Sequence, residues 1–239
     1  SINNLDSTLF LPAGGVPAIG VLGDSMLVAF SGDDGNIQVG LGLALSLSVD
    51  DSTTMKWNYF SQPTDNESDS LELTGGVGYF RKLPVTVPQA NVTYDISLNK
   101  DYFWVASWAG GLRNYHFSRN EWRHIPLPLD SQSELDLCDE NNFNTKEGPY
   151  ILNDYFLNPR DPADGGNHNH KAFSVLVYGD TVWVGTANGL NRGLIVRDTL
   201  WGQNAIECIR WKHYYYPENG LSGNFVVGLA KQFWRGQIT

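Results

Sequence analysis

Short apolar runs separated by turn residues recur along this chain in one order. Residues 179–192 carry Gly179-Asp180, the apolar run Val182-Trp183-Val184, a small-residue step, then Asn188-Gly189-Leu190 and Arg192. Residues 100–113 repeat the order with Asp101, an apolar run centred on Trp104, Gly110-Gly111-Leu112 and Arg113. A polar break holding Gly, Asp or Asn between two short β-prone runs predicts a hairpin. The pattern therefore pairs 172–177 with 182–184, and 92–98 with 103–106. The Trp-centred runs do not alternate with polar residues, so both faces of those strands are expected to be buried. A third strand is expected from Leu112 or Leu190. A fourth is expected at Trp122-Arg123-His124 and Trp211-Lys212-His213.

A more diverged copy comes first in the chain. Residues 17–22 precede Gly23-Asp24 and the apolar run up to Phe30; Gly42-Leu43 matches the Gly-Leu step, and Trp57 the closing Trp. Asp24 precedes Asp101 by 77 positions, and Asp101 precedes Asp180 by 79. Both intervals exceed the roughly 40–50 residues of a familiar propeller blade, so either each unit carries an insertion or an unrecognised blade lies between. Residues 63–70 are polar and β-poor. Residues 129–170 form a larger insertion holding Asp136, Asp139, Glu140, Asp154, Asp161 and Asp164, and loops of that length are often functional. Near the end, 224–230 resembles the strands that open the earlier units, and Phe233-Trp234 the start of another Trp strand.

Four short antiparallel strands with two apolar faces need cover on both sides. Radial stacking supplies it, so the pattern predicts an all-β fold, a partial β-propeller of about three blades and the start of another, over residues 1–239 as one segment. A β-sandwich also has many short strands, but it needs one wet face per strand. An open stack leaves bare sheet edges and an exposed apolar face. The expectation is that further sequence or another chain completes it.

Composition sharpens this in three ways. With 25 Gly, 11 Pro, 8 Trp, 11 Tyr and 11 Phe, the chain suits a turn-rich β fold. Its net charge of -10 excludes nucleic acid and anionic membrane surfaces as partners, and no apolar run approaches the roughly 20 residues of a bilayer span. The cysteines, Cys138 and Cys208, are too far apart in sequence for a paired-ligand zinc framework. They are either two buried thiols or a disulfide formed in an oxidising compartment. Low Lys content and abundant Asn and Trp favour an exported protein that is extracellular, periplasmic or on the cell surface.

The stretch 182–190, Val-Trp-Val-Gly-Thr-Ala-Asn-Gly-Leu, resembles the hallmark of bacterial two-component regulator propeller repeats, and 103–113 is similar to it. Residues 46–57 resemble a degenerate Asp-box of sialidase-like propellers, lacking its Gly and with stretched spacing to Trp57. The resemblance implies a propeller, and a sensory or cell-surface module with other domains attached.

Candidate chemistry concentrates in a few places. Asp161, Asp164, Asn167 and Asn169, spaced by Gly165 and Gly166, present oxygens of the kind Ca²⁺ takes. His168 and His170 offer a transition-metal alternative, and a turn in which Asp and Asn cap their own backbone is the structural alternative. Tyr214-Tyr215-Tyr216 and Trp108 are candidate binding aromatics. Trp57, Trp104, Trp122, Trp183 and Trp211 are assigned to the core. Arg113, Arg123, Arg192 and Arg210 are expected to flank strand ends. Carboxylates for glycosidase chemistry are plentiful, but no motif selects a pair. The sequence reading is a non-catalytic interaction or scaffold module binding a protein or glycan. A carbohydrate-active, sialidase-like enzyme and a ligand-sensing propeller of a signalling protein are the alternatives.

Overall fold

The computed structural model describes residues 11–12, 14–48, 56–62, 70–73, 79–82, 91–118, 120–138, 167–198, 206–234 and 237–238. Tight turns join the first two strands of each unit, two residues long in the first and third. Gly23 and Gly179 adopt φ of 55° and 57°, the left-handed region open to glycine, and each is followed by aspartate. At the matching place in the second unit, Asn99 Oδ1 accepts from the amides of Asp101 at 2.9 Å and Tyr102 at 2.7 Å.

The first unit is the antiparallel meander β1 (Gly15–Leu22), β2 (Ser25–Asp34), β3 (Ile37–Ser46) and β4 (Asn58–Phe60). A separate hairpin follows, β5 (Ser70–Leu73) with β6 (Tyr79–Lys82). The second unit is β7 (Asp95–Leu98), β8 (Tyr102–Ser107), β9 (Gly111–His116) and β10 (Glu121–Ile125). A short strand β11 (Glu134–Asp136) precedes the third unit, β12 (Ala172–Tyr178), β13 (Thr181–Thr186), β14 (Gly189–Asp198) and β15 (Ile206–Tyr214), and pairs with the outer edge of β15. The last pair is β16 (Phe233–Trp234) with β17 (Gln237–Ile238). The fold is all-β, and among the described residues the antiparallel sheets do not close on one another.

The non-alternating runs are explained by β8. Its side chains point to opposite faces in turn. Phe103 and Val105 join a cluster with Leu27, Ala29 and Leu43 of the first unit. Trp104 and Ala106 join one with Val175, Val182 and Val184 of the third. One strand thus serves two junctions, and a strand buried on both faces has no polar period.

First strands lie beside one another. A Cβ at Gly20 in β1 would overlap Leu98 Cδ1 and Ile96 Cγ2 of β7, so glycine makes the close approach possible. In turn β7 runs parallel to β12: Asp95 Oδ2 accepts from the Val175 amide and Ser97 Oγ from the Val177 amide, both at 2.9 Å. These side chains satisfy amides on the edge of β12 away from β13, where no neighbouring strand supplies a ladder. Residues 224–231 then run beside β12. Phe225 meets Phe173 with ring centroids 5.3 Å apart, Ser174 Oγ donates to the Val226 carbonyl at 3.4 Å, and the Lys231 ammonium lies 4.5 Å from the Tyr178 ring.

Several sequence expectations are corrected. The 129–170 insertion is not all loop: it contains β11, whose Leu135 and neighbouring Leu137 are buried in the core, and a 3-10 turn at His168–His170. An apolar i, i+2 pair is enough to anchor a three-residue strand there. Trp104 and Trp211 are buried, but Trp57, Trp122 and Trp183 are only half-buried. Trp57 and Trp122 lie at the outer strands, and Trp183 turns away from Val182 and Val184 to the face where 224–231 runs. Arg113 does not flank a strand end but is fully buried within β9, its Nη1 donating to Asn91 Oδ1 at 2.9 Å. Burial pushes its guanidinium down to about 9. Cys138 and Cys208 form a disulfide with a Cα–Cα distance of 5.2 Å, which ties the end of β11 to β15. The Asp-box resemblance falls largely on residues 49–55, outside the described residues.

Candidate functional site

In a four-stranded meander, the turn between strands two and three lies at the same end as the start of strand one and the end of strand four. Because β7 and β12 are parallel, units two and three present these ends to one face. It carries the β8–β9 turn, the β13–β14 turn, the 3-10 turn before β12 and the loop after β15.

Trp108 sits in the β8–β9 turn, where the Gly110 amide donates to Ser107 Oγ at 3.3 Å. Its side chain is 44% exposed, with the Lys171 ammonium 5.5 Å from the ring centroid. Tyr216 is 52% exposed in the loop after β15. That loop is held by polar contacts: the Tyr215 amide donates to Asn219 Oδ1 at 3.1 Å, and the Tyr216 amide to Asn224 Oδ1 at 2.6 Å. Tyr214 and Tyr215 are half-buried, Tyr215 lying 5.0 Å from the His213 ring. Of the four expected binding aromatics, Trp108 and Tyr216 are the two with large exposed surfaces.

The same face holds a polar network in which Asn169, Asn191, Thr186 and His213 are buried. Asn169 and Asn191 bond reciprocally, Nδ2 to Oδ1 in each direction, at 2.8 and 2.7 Å. Thr186 Oγ1 donates to the same Asn169 oxygen at 2.7 Å, and Asn169 Nδ2 also reaches the Pro128 carbonyl at 2.8 Å. Asp130 closes the network. Its carboxylate accepts from the His168 amide at 3.0 Å, the Asn169 amide at 2.7 Å and Asn188 Nδ2 at 3.2 Å. His213, buried on β15, faces two carbonyls, with Nδ1 2.9 Å from Gln132 O and Nε2 2.6 Å from Asn188 O. The network fastens the 128–133 segment and the 3-10 turn to the β13–β14 turn, which fixes the floor of the face.

The expected cation ligands divide. Asp161 and Asp164 lie outside the described residues. Asn169 spends its side chain in the network above, and Asn167 Oδ1 accepts from the Asp130 amide at 2.9 Å while its Nδ2 donates to Pro128 O at 3.3 Å. His168 and His170 are not brought together. His168 is at the surface with Nδ1 3.2 Å from Asp130, and His170 is buried with Nε2 3.1 Å from the Ala109 carbonyl. Among the described residues no group of three or more His, Cys, Asp or Glu side chains is placed to hold a metal.

Sequence reasoning missed Asp130, Asn191 and His213. The available signal was a polar side chain between glycine or aromatic residues at i±2, Gly189 and Gly193 around Asn191 and Trp211 and Tyr215 around His213; the two are cross-strand partners in the β14–β15 register, and both are buried.

No protein-family model matches the chain, and no curated protein matches it. Among solved structures it is similar to the extracellular domain of a candidate one-component system from B. thetaiotaomicron, with 17% identity and a TM-score of 0.32. The match covers 88% of this chain, which spans 29% of the length of that one. Among the described residues no helix is long and apolar enough to cross a membrane.

Proposed function

We propose that the chain is a β-propeller segment of an exported interaction module, and that it binds a protein or glycan at the face carrying Trp108 and Tyr216. The observation that carries the binding reading is the pair of exposed aromatic rings on ordered turns, above a floor held rigid by the Asn169–Asn191–Asp130 network. Aromatic side chains that stay wet on a fixed scaffold offer large contact area at low entropic cost, for sugar faces or for apolar peptide side chains. The propeller reading draws support from the parallel neighbouring first strands and from the burial of both faces of β8. The Cys138–Cys208 disulfide suits an oxidising compartment.

The test is a binding screen of the purified chain against a mixed glycan panel and a displayed peptide library. The double variant Trp108→Ala, Tyr216→Ala is then compared with the parent on each hit. The reading expects at least one hit whose affinity falls by about tenfold or more in the variant. A screen without hits, or hits that the variant binds equally well, overturns it.

A further inference from the structure

Ile19 and Ile96 occupy the same repeat position, 77 residues apart, and so do Val21 and Leu98. Their surroundings differ sharply. Ile96 and Leu98 are 6% and 9% exposed because β1 lies against them, whereas Ile19 and Val21 are 55% and 63% exposed. The third-unit counterparts, Val175 and Val177, are buried against the second unit. A position that is branched or apolar in all three units, and buried in the two that have a preceding unit, marks the receiving half of a junction.

The described junctions also follow a size rule. The strand that covers Ile96 and Leu98 turns Ala18 and Gly20 toward them. The strand that covers Val175 and Val177 turns Asp95 and Ser97. In neither junction does the covering strand turn a large apolar side chain toward the strand it covers: glycine and alanine leave room for Ile96 and Leu98, and Asp95 and Ser97 bond the Val175 and Val177 amides. A second copy of this chain does not meet the rule. Its 224–231 stretch leaves Phe225 and Val227 outward, and large residues against Ile19 and Val21 would overpack the contact.

We propose that the exposed face of β1 is a docking surface for another four-stranded unit of this repeat. Its first strand runs parallel to β1 and turns Gly, Ala, Ser or Asp toward Ile19 and Val21. This rests on the stacked-unit reading above, but not on the ligand face, so the two fail separately.

The chain contains a probe with the required chemistry, since its own first unit presents Ala18 and Gly20. In a tandem polypeptide, residues 14–90 are placed ahead of residue 14 of the full chain, so that the added unit keeps the connector that follows it here. Amide exchange at 18–22 of the full-chain copy is expected to slow by about tenfold or more relative to the chain alone. Ile19→Asp with Val21→Asp in that copy is expected to lower the tandem's Tm by about 5 °C or more, and to shift the chain alone by no more than about 1–2 °C. Ala18→Leu with Gly20→Leu in the added unit should abolish the protection. Unchanged exchange in the tandem overturns the proposal. So does a stable oligomer of the unmodified chain that protects Ile19, because the occupant is then a second copy.

Discussion

The Asp95 carboxylate of the second unit accepts the Val175 amide of the third at 2.9 Å. Two units that share no ladder hydrogen bond between their first strands are thereby joined through a side chain, and Ser97 repeats the contact at Val177. Desolvation by burial holds the Asp95 carboxyl above its ordinary value, although the Val175 and Ile96 amides pull it down.

That shift has a definite sign. A carboxyl raised in the folded state binds its proton more tightly than in the unfolded chain. Its contribution to stability is therefore fully present below the ordinary value of 3.8 and declines as pH rises through the folded value. Urea melts between about pH 3 and 7 should show the advantage of the parent over Asp95→Ala shrinking as pH rises from 3.8. An advantage that grows over that window contradicts the assignment. At neutral pH the variant is still expected to lose about 1–3 kcal/mol, because the Val175 amide is left without its acceptor.

The disulfide closes a loop of 70 residues. Chain entropy alone makes that worth about 4 kcal/mol. Replacing Cys138 and Cys208 by Ser should lower stability by about that much, and a reducing agent should do the same to the parent while leaving the double variant unchanged. Equal melting of parent and variant under oxidising conditions would show that the bond does not form.

Burial separates two tryptophans that the repeat places at equivalent positions. Trp104 is almost completely buried between the second and third units, while Trp183 is half-buried with the Arg192 guanidinium 5.8 Å from its ring. Trp104→Ala is expected to cost about 3–5 kcal/mol and Trp183→Ala less than about half of that. Similar losses at both sites in denaturant melts would place Trp183 in a core that the fold does not give it.

The Asn169–Asn191 pair predicts coupling. Either single change to Ala leaves a buried amide with a lost partner, at about 1–3 kcal/mol. The double change should cost less than the sum, by about 0.5 kcal/mol or more, because the second substitution removes an already broken contact. Additive losses in a double-mutant cycle would dissolve the pair.

The sequence carried the units and lost their edges. Asp24, Asp101 and Asp180 mark turns one unit apart, and the strands they divide fall where the apolar runs place them, because a turn residue and a run of β-formers act locally. β11 escaped notice because three residues with one buried leucine have no readable period; its position depends on Leu135 and Leu137 finding a core built by other strands. Asn169 was legible as an oxygen donor but not as a partner of Asn191, since that contact joins the 3-10 turn to β14 across a register no local pattern encodes. The disulfide depends on β11 lying against β15, so spacing alone left two alternatives open. Trp108 and Tyr216 could be named but not told apart from Tyr214 and Tyr215, because exposure is decided by packing.

The units pack first strand against first strand, and Gly20 reports on this most directly. Its Cα faces the methyls of Ile96 and Leu98 at a distance that leaves no room for a Cβ. In a methyl-labelled sample, this packing should give strong nuclear Overhauser contacts from the Gly20 α protons to the Ile96 Cγ2 and Leu98 Cδ1 methyls. Their absence, with both methyl signals assigned and the protein folded, would contradict the stacking and the docking surface inferred from it.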